Sequence, residues 1–267
     1  KAAGLQVTSS SSNAGAASYM TIRGAASLTG NNQPLFVIDG MPMSSDPSYR
    51  GGTGQSGVYS SARSSDINPD DIASVNVLKG GAATALYGLQ ASNGVIVITT
   101  KRGTTDQKMK VSLHSSFGVK QLGKHIPLQN VYGQGINGQW QSKNNSAWGP
   151  KLDTCSYSLN PALWLNPLID VDGAIVSKKA PTSTGAPVKI YNPYDYFQTG
   201  LSINNNVNIE AGNKNSSYFF SVGNLNEKGI APENVYRRTT LRLNVDSKLS
   251  EKVTTGANVT YSNTYNN

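Results

Sequence analysis

The sequence predicts an α+β unit followed by the antiparallel strands of a transmembrane β-barrel, present only in part, and three observations carry that expectation. The composition includes 27 glycines in 267 residues, with 37% of residues hydrophobic and 14% charged, and the intervals between apolar runs are crowded with Ser, Thr and Asn. Such a mixture suits strands and turns better than helical bundles. Within the first hundred residues, short apolar runs flank a segment of good helix formers. Beyond Arg102-Gly103 the pattern changes to strict alternation of apolar and polar residues, the period of a strand with two different faces.

In the first unit, QPLFVIDGMPM from Gln33 to Met43 places a buried strand at Leu35 to Ile38, closed by turn chemistry at Asp39-Gly40 and Pro42. INPDDIA from Ile67 to Ala73 reads as a short helical turn. Asn68 is a good N-cap, Pro69 fits the first helical position, and Asp70 and Asp71 favour the positive end of the helix dipole. Ser74 to Leu78 (SVNVL) alternates as a strand. Gly81 to Tyr87 (GAATALY) is a helix that stops at Gly88. Gly94 to Thr100 (GVIVITT) is apolar without alternation, so it is expected at the centre of a small split βαβ-like sheet. Ser9 to Ala17 and Ser44 to Ser65 are small, polar and Gly/Ser-rich, and are expected to be loops outside the core.

The succession Ile22-Arg23-Gly24, PLFVIDGMP from Pro34, INPDDIASVNVLKGGAATALYG from Ile67 and NGVIVITTKRG from Asn93 closely resembles the plug domain of SusC-like TonB-dependent transporters, in order and spacing, over about residues 1–104. It departs at Lys79-Gly80-Gly81, where the family more often has an acidic or polar residue after the lysine. The resemblance implies a plug at residues 1–104 and barrel strands from 105 to 267, in a protein of about twenty-two strands. It implies import of an oligosaccharide or peptide across the outer membrane beneath a SusD-like lipoprotein lid. TonB, with ExbB and ExbD, would act through a segment ahead of Lys1, and two such units could form a dimer. Neither a cofactor nor covalent chemistry is expected.

The alternating segments fall at Lys110 to Val119, Ile203 to Ala211, Ser217 to Leu225, Arg237 to Val245 and Val253 to Tyr265. Each is near the length a tilted strand needs to cross a bilayer. In the first, Val111, Leu113, Phe117 and Val119 form the face expected to meet lipid, and Lys110, Ser112, His114 and Ser116 the other. Connections alternate short, at Gly212 to Ser216 and Ser247 to Glu251, and long, at Gln121 to Gly200 and Asn226 to Tyr236. Short connections belong to the periplasmic end and long ones to the extracellular end. Five strands cannot close around a plug of about 100 residues, so the sequence is expected to be a piece of a longer chain.

The 23 basic and 15 acidic residues give a formal charge of +8, but no dense basic stripe with interleaved aromatics forms, which argues against nucleic acid. Cys155 is the sole cysteine, and His114 and His125 cannot complete a Cys/His metal site. Lys79-Gly80-Gly81 lacks the spacing of a phosphate loop. Asp70 and Asp71 are more simply dipole partners than catalytic carboxylates. Arg23 and Asp39 are expected to be partly buried and paired, as an internal plug brace or a contact broken during gating. Ser44, Ser45, Asp46, Tyr49 and Arg50 are expected to face the substrate chamber. Trp140, Trp148, Trp164, Tyr191, Tyr194 and Tyr196 would stack on a ligand, grip a partner or pack the long loop. Two other readings are a secreted β-rich adhesin and a structural component of a secretion or motility assembly.

Overall fold

Hydrophobic runs and turn residues build the small sheet much as their chemistry dictates. The computed structural model describes residues 4–9, 13–16, 18–24, 32–43, 66–141, 143–158 and 174–267. Strands β1 (Leu5–Ser9) and β2 (Ser18–Ile22) form an antiparallel hairpin. Strand β3 (Leu35–Ile38) turns through Asp39-Gly40 into β4 (Met41–Met43). Both turn residues have positive φ, +48° and +89°, as a two-residue Asp-Gly hairpin turn requires. A single 3-10 turn, Pro69–Asp71, precedes β5 (Ile72–Leu78), and the Asn68 side chain caps it by accepting from Asp70 N. Helix α1 (Gly81–Tyr87) follows, then β6 (Val95–Thr100).

The sheet order is β4-β3-β6-β5, with β6 parallel to β3 and antiparallel to β5, so the run without alternation is central, as expected. Each of its faces is covered. Phe36, Ile96 and Ile98 bury against Ile22 of the hairpin, while Val37 and Val95 bury against Ala83 of α1 and Ala91. Fully burying one such large aliphatic or aromatic side chain stabilises by about 1.5–3 kcal/mol. Gly94, at φ +93°, is required here: a Cβ would come within 2.7 Å of Ile22 Cδ1 and 3.0 Å of Leu78 O.

Strand β7 (Lys110–Lys120) leaves this unit. Residues 123–196 are a separate compact unit. This unit contains two small antiparallel sheets. One pairs β8 (Gly135–Ile136) with β9 (Gln139–Trp140); the other orders β10 (Cys155–Ser158), β11 (Ile175–Ser177) and β12 (Ser183–Pro187) as β11-β10-β12.

The chain returns as β13 (Gly200–Gly212), β14 (Ser216–Lys228), β15 (Val235–Ser250) and β16 (Val253–Asn266). With β7 they form an open antiparallel sheet, β16-β15-β14-β13-β7. β13, β14 and β15 run past both expected boundaries, and β7 and β16 end one residue later than expected. No described helix is long and apolar enough to cross a membrane, which says nothing of crossing by strands.

One expected loop is partly core. Ala14, within the Ser9 to Ala17 stretch, is buried, and its amide donates to Asn234 Oδ1 at 2.7 Å. Gly15 lies so close to the Tyr236 ring that a Cβ would sit 2.1 Å from it. Composition marked this stretch as a linker; a ring more than two hundred residues away makes it a packing site.

Candidate functional site

Alternation sends the even-numbered residues of β7, β13, β15 and β16, and the odd-numbered residues of β14, to one face of the five-stranded sheet. On β13, β14 and β15 that inward face is buried and mostly polar: Asn206, Asn208, Ser221, Arg238, Thr240, Arg242 and Asn244 are all nearly inaccessible, beside the aromatic Phe219 and Tyr236. Burying amides and hydroxyls is tolerated only with partners. The 3-10 turn and the small sheet supply them.

Asn68 uses both ends of its amide. Its oxygen caps the turn, and its Nδ2 donates to Asn206 Oδ1 at 3.1 Å and to Thr240 Oγ1 at 3.4 Å. Gly223 lies beneath this junction, where a Cβ would approach Asn68 Nδ2 to 2.5 Å and Thr240 Oγ1 to 2.6 Å. Next to it, Asp71 accepts from Ser221, and Asp70 accepts from Asn204 Nδ2 at 3.1 Å and meets His114 Nδ1 at 2.6 Å. Thus one short turn reaches side chains on β7, β13, β14 and β15.

The charged centre is Arg242, placed between two carboxylates. Its Nη1 is 3.5 Å from Asp39 Oδ2 and its Nε 3.5 Å from Asp71 Oδ2, and all three side chains are at most 8% exposed. At those distances the attraction is coulombic, without a short hydrogen bond from Nε. Asp39 is held independently, accepting from Thr100 N at 2.9 Å and Thr100 Oγ1 at 2.7 Å. Burial pushes the Asp71 carboxyl above its usual range; the Ser221 hydrogen bond and Arg242 oppose that shift, and neighbouring Asp70 adds to it. Further grips follow the strands: Asn244 Nδ2 donates to Lys101 O at 2.7 Å, Arg238 Nη1 to Ile67 O at 3.0 Å, and Arg102 pairs with Asp246 at 3.0 Å. A cavity of about 420 Å³ lies between the β3–β4 hairpin and β15–β16, lined by Met41, Met43, Asp66, Arg242 and Thr260 among others.

Asp39 therefore lies in the buried charge cluster. Arg23 does not join it. Its side chain is exposed, its φ is +60°, and its backbone amide donates to Gly4 O. The expectation that Arg23 is partly buried is corrected: an Ile22-Arg23-Gly24 turn leaving β2 points the guanidinium outward. Asp71 does more than favour a dipole, since its carboxylate is the second anion of the cluster. Arg242 was not singled out in the sequence, although an arginine at an inward position among Thr and Asn is itself a signal.

Ser44, Ser45, Asp46, Tyr49, Arg50 and Trp164 lie outside the described residues. Within the 123–196 unit, Trp140 is half-buried in β9, and Trp148 is exposed, its amide donating to Gly135 O of β8. The Tyr194 hydroxyl donates to Ile126 O at 3.1 Å and its ring lies 4.2 Å from that of His125. Tyr196 is exposed, and Lys189 sits over Tyr191 at 4.5 Å. Among the described residues no three His, Cys, Asp or Glu side chains converge as a metal site would need.

Residues 1–95 match the family model described as the TonB-dependent Receptor Plug Domain. The chain is 30% identical over 246 residues to TonB-dependent receptor SusC of Bacteroides thetaiotaomicron, covering 92% of this chain and 20% of that protein. It is 29% identical over 266 residues to TonB-dependent receptor P26 of Formosa agariphila, covering 98% of this chain and 22% of the other. It thus spans about a fifth of the length of these relatives. Among solved structures, the RagAB peptide importer in its closed-closed state superposes with a TM-score of 0.72 at 24% identity, over all of this chain and 28% of that one. The siderophore receptor PirA of Acinetobacter baumannii gives 0.52 at 15% identity, over 98% of this chain and 28% of the other.

Proposed function

Because this chain belongs to the SusC-like TonB-dependent transporters, of which it holds the plug domain and first barrel strands, we propose that the whole protein imports a nutrient across the outer membrane with the plug as gate. Residues 1–104 form the plug in this reading, and 105–267 form barrel wall and extracellular loops. The observation that carries it is the way the 3-10 turn and Asp39 are fastened to the inward wall through polar groups rather than a hydrophobic interface. Polar contacts can be exchanged for water as they open, so a plug held by them can be displaced while the wall keeps its own ladder. Arg242 and Asp39 are the brace, with Asp71.

A SusD-like lipoprotein would cover the extracellular opening, and TonB would pull the plug from the periplasm. An oligosaccharide or a peptide is the cargo class. The likeness to the RagAB peptide importer supports a peptide.

Uptake of labelled oligosaccharides and peptides by cells expressing the whole protein tests the reading. Uptake is expected to vanish when the gene is deleted and when the proton-motive force is collapsed. Accumulation that is indifferent to both would defeat it.

A further inference from the structure

The outward face of the five strands carries a pattern that the plug and gate do not use. Register places Ser115, Asn205, Asn224, Thr239 and Asn263 in one continuous cross-strand row. A second polar row, Ser216, Ser247 and Thr255, lies near the short turns. On β14, β15 and β16 the rows are the same distance apart, from 216 to 224, 247 to 239 and 255 to 263. Every outward residue between them is apolar or aromatic. That spacing is roughly 26 Å along a strand, or about 20 Å along the normal at a tilt of about 40°. On these three strands it approaches the height of the apolar band of such barrels, about 25 Å, in a membrane thinner than average; on β7 and β13 the apolar face continues past the upper row at Phe117, Val119, Ile203 and Leu201.

Beyond the upper row, away from the short turns, stand the only two formal charges on the outward face of these strands. Both are positive: Lys228 on β14 and Arg237 on β15. Lys228 is paired in register with Val235, so the two cations are diagonal neighbours on adjacent strands, roughly 7–8 Å apart between backbones. Both are exposed, and neither is in an ion pair among the described residues. The neighbouring carboxylate of Glu227 is on the other face, engaged by Lys120, and Glu233 belongs to the loop tip. Tyr265 is directly opposite Arg237. Two like charges beside an apolar band, with an aromatic ring at their side, match the level at which lipid phosphates sit.

We propose that Arg237 and Lys228 hold the phosphate of an outer-leaflet lipid headgroup against the barrel wall, a site that rests on the reading of these strands as membrane-spanning. The guanidinium fork suits two phosphate oxygens and the ammonium a third. The acyl chains of the same lipid would lie on the band below, over Leu241 and Val222.

The test uses the whole protein in lipid nanodiscs, with native mass spectrometry counting retained molecules of phosphorylated lipid A and of the same lipid with its phosphates removed. Wild type is expected to retain the phosphorylated form roughly thirtyfold better, the ratio two cations near an anionic surface supply. That preference should disappear in R237Q/K228Q and persist in R237K/K228R. Equal retention of the two lipids, or a preference unaltered in R237Q/K228Q, overturns the proposal. So does displacement of the bound lipid by millimolar inorganic phosphate, which would make this a site for free anions. Failure of the protein to enter nanodiscs would instead defeat the membrane-spanning reading itself, so the two failures are distinguishable.

Discussion

Strand β15 shows two opposed environments one residue apart. Its inward residues Arg238, Thr240, Arg242 and Asn244 are nearly inaccessible, while Leu241 and Leu243 between them are 39% and 42% exposed. A water-soluble sheet would have the reverse arrangement. The difference teaches where each face finds its stabilisation. Outward residues depend on an apolar solvent that surrounds them, whereas inward residues depend on specific hydrogen-bond partners from the small sheet.

The strongest way to break the comparison is at Arg242. Arg242→Met leaves Asp39 and Asp71 buried without their cation, and docking of the small sheet should weaken by about 3–5 kcal/mol. Faster hydrogen exchange of the β5 and β6 amides in the whole protein would report it, and adding Asp39→Asn and Asp71→Asn should restore much of the protection. On the outward face, Leu241→Arg within the apolar band should cost about 2–4 kcal/mol of barrel stability, and Thr239→Arg in the upper polar row about 0–1 kcal/mol. Urea titration of folding into vesicles checks both; equal costs would remove the band from its assigned level. Gly223→Ala forces a methyl into the Asn68 junction, and an overpacking cost of about 1–3 kcal/mol is expected, read as a lowered thermal midpoint.

The smallest effect is one of pH. The folded pKa of Asp71 is raised from 3.8, so its favourable contribution is complete below 3.8 and is lost as pH rises through the raised value. Asp71→Asn should therefore be more stable than wild type at neutral pH, and the gap should close as pH falls towards 3.8. Thermal midpoints of both proteins across that range decide it. A gap that widens on acidification would assign the dominant role to the Arg242 attraction instead.

Much of this arrangement could be read from local chemistry. The capped turn at Asn68, the central apolar run at Val95–Thr100, the helix ending at Gly88 and the alternating strands each follow from residues close in sequence. What escaped reading depends on distant partners. Leu5–Ser9 has only two strongly apolar residues, and it becomes a strand because Ser18–Ile22 returns beside it. The charge cluster joins Asp39, Asp71 and Arg242 across separations that no spacing rule connects, so neither the burial of Arg242 nor the exposure of Arg23 follows from neighbouring residues. The 3-10 turn was legible as an element, but not as the part that holds the wall.

Two ladders of the N-terminal unit, β1–β2 and β3–β6, differ in how they would bear mechanical load. Leu5 and Ile22 are partners at one end of the β1–β2 hairpin. Tension applied ahead of Leu5 and resisted beyond Ile22 would peel that hairpin apart, breaking its bonds one after another at low force. In the parallel pair, tension enters β3 at Leu35, while β6 is anchored at its opposite end, where Asn244 grips Thr100 and Lys101. Those bonds are loaded together, in shear. A pull from the N-terminus would therefore take up slack first and then meet a stiff stop, so the force that reaches the Arg242 clamp is delivered late and all at once.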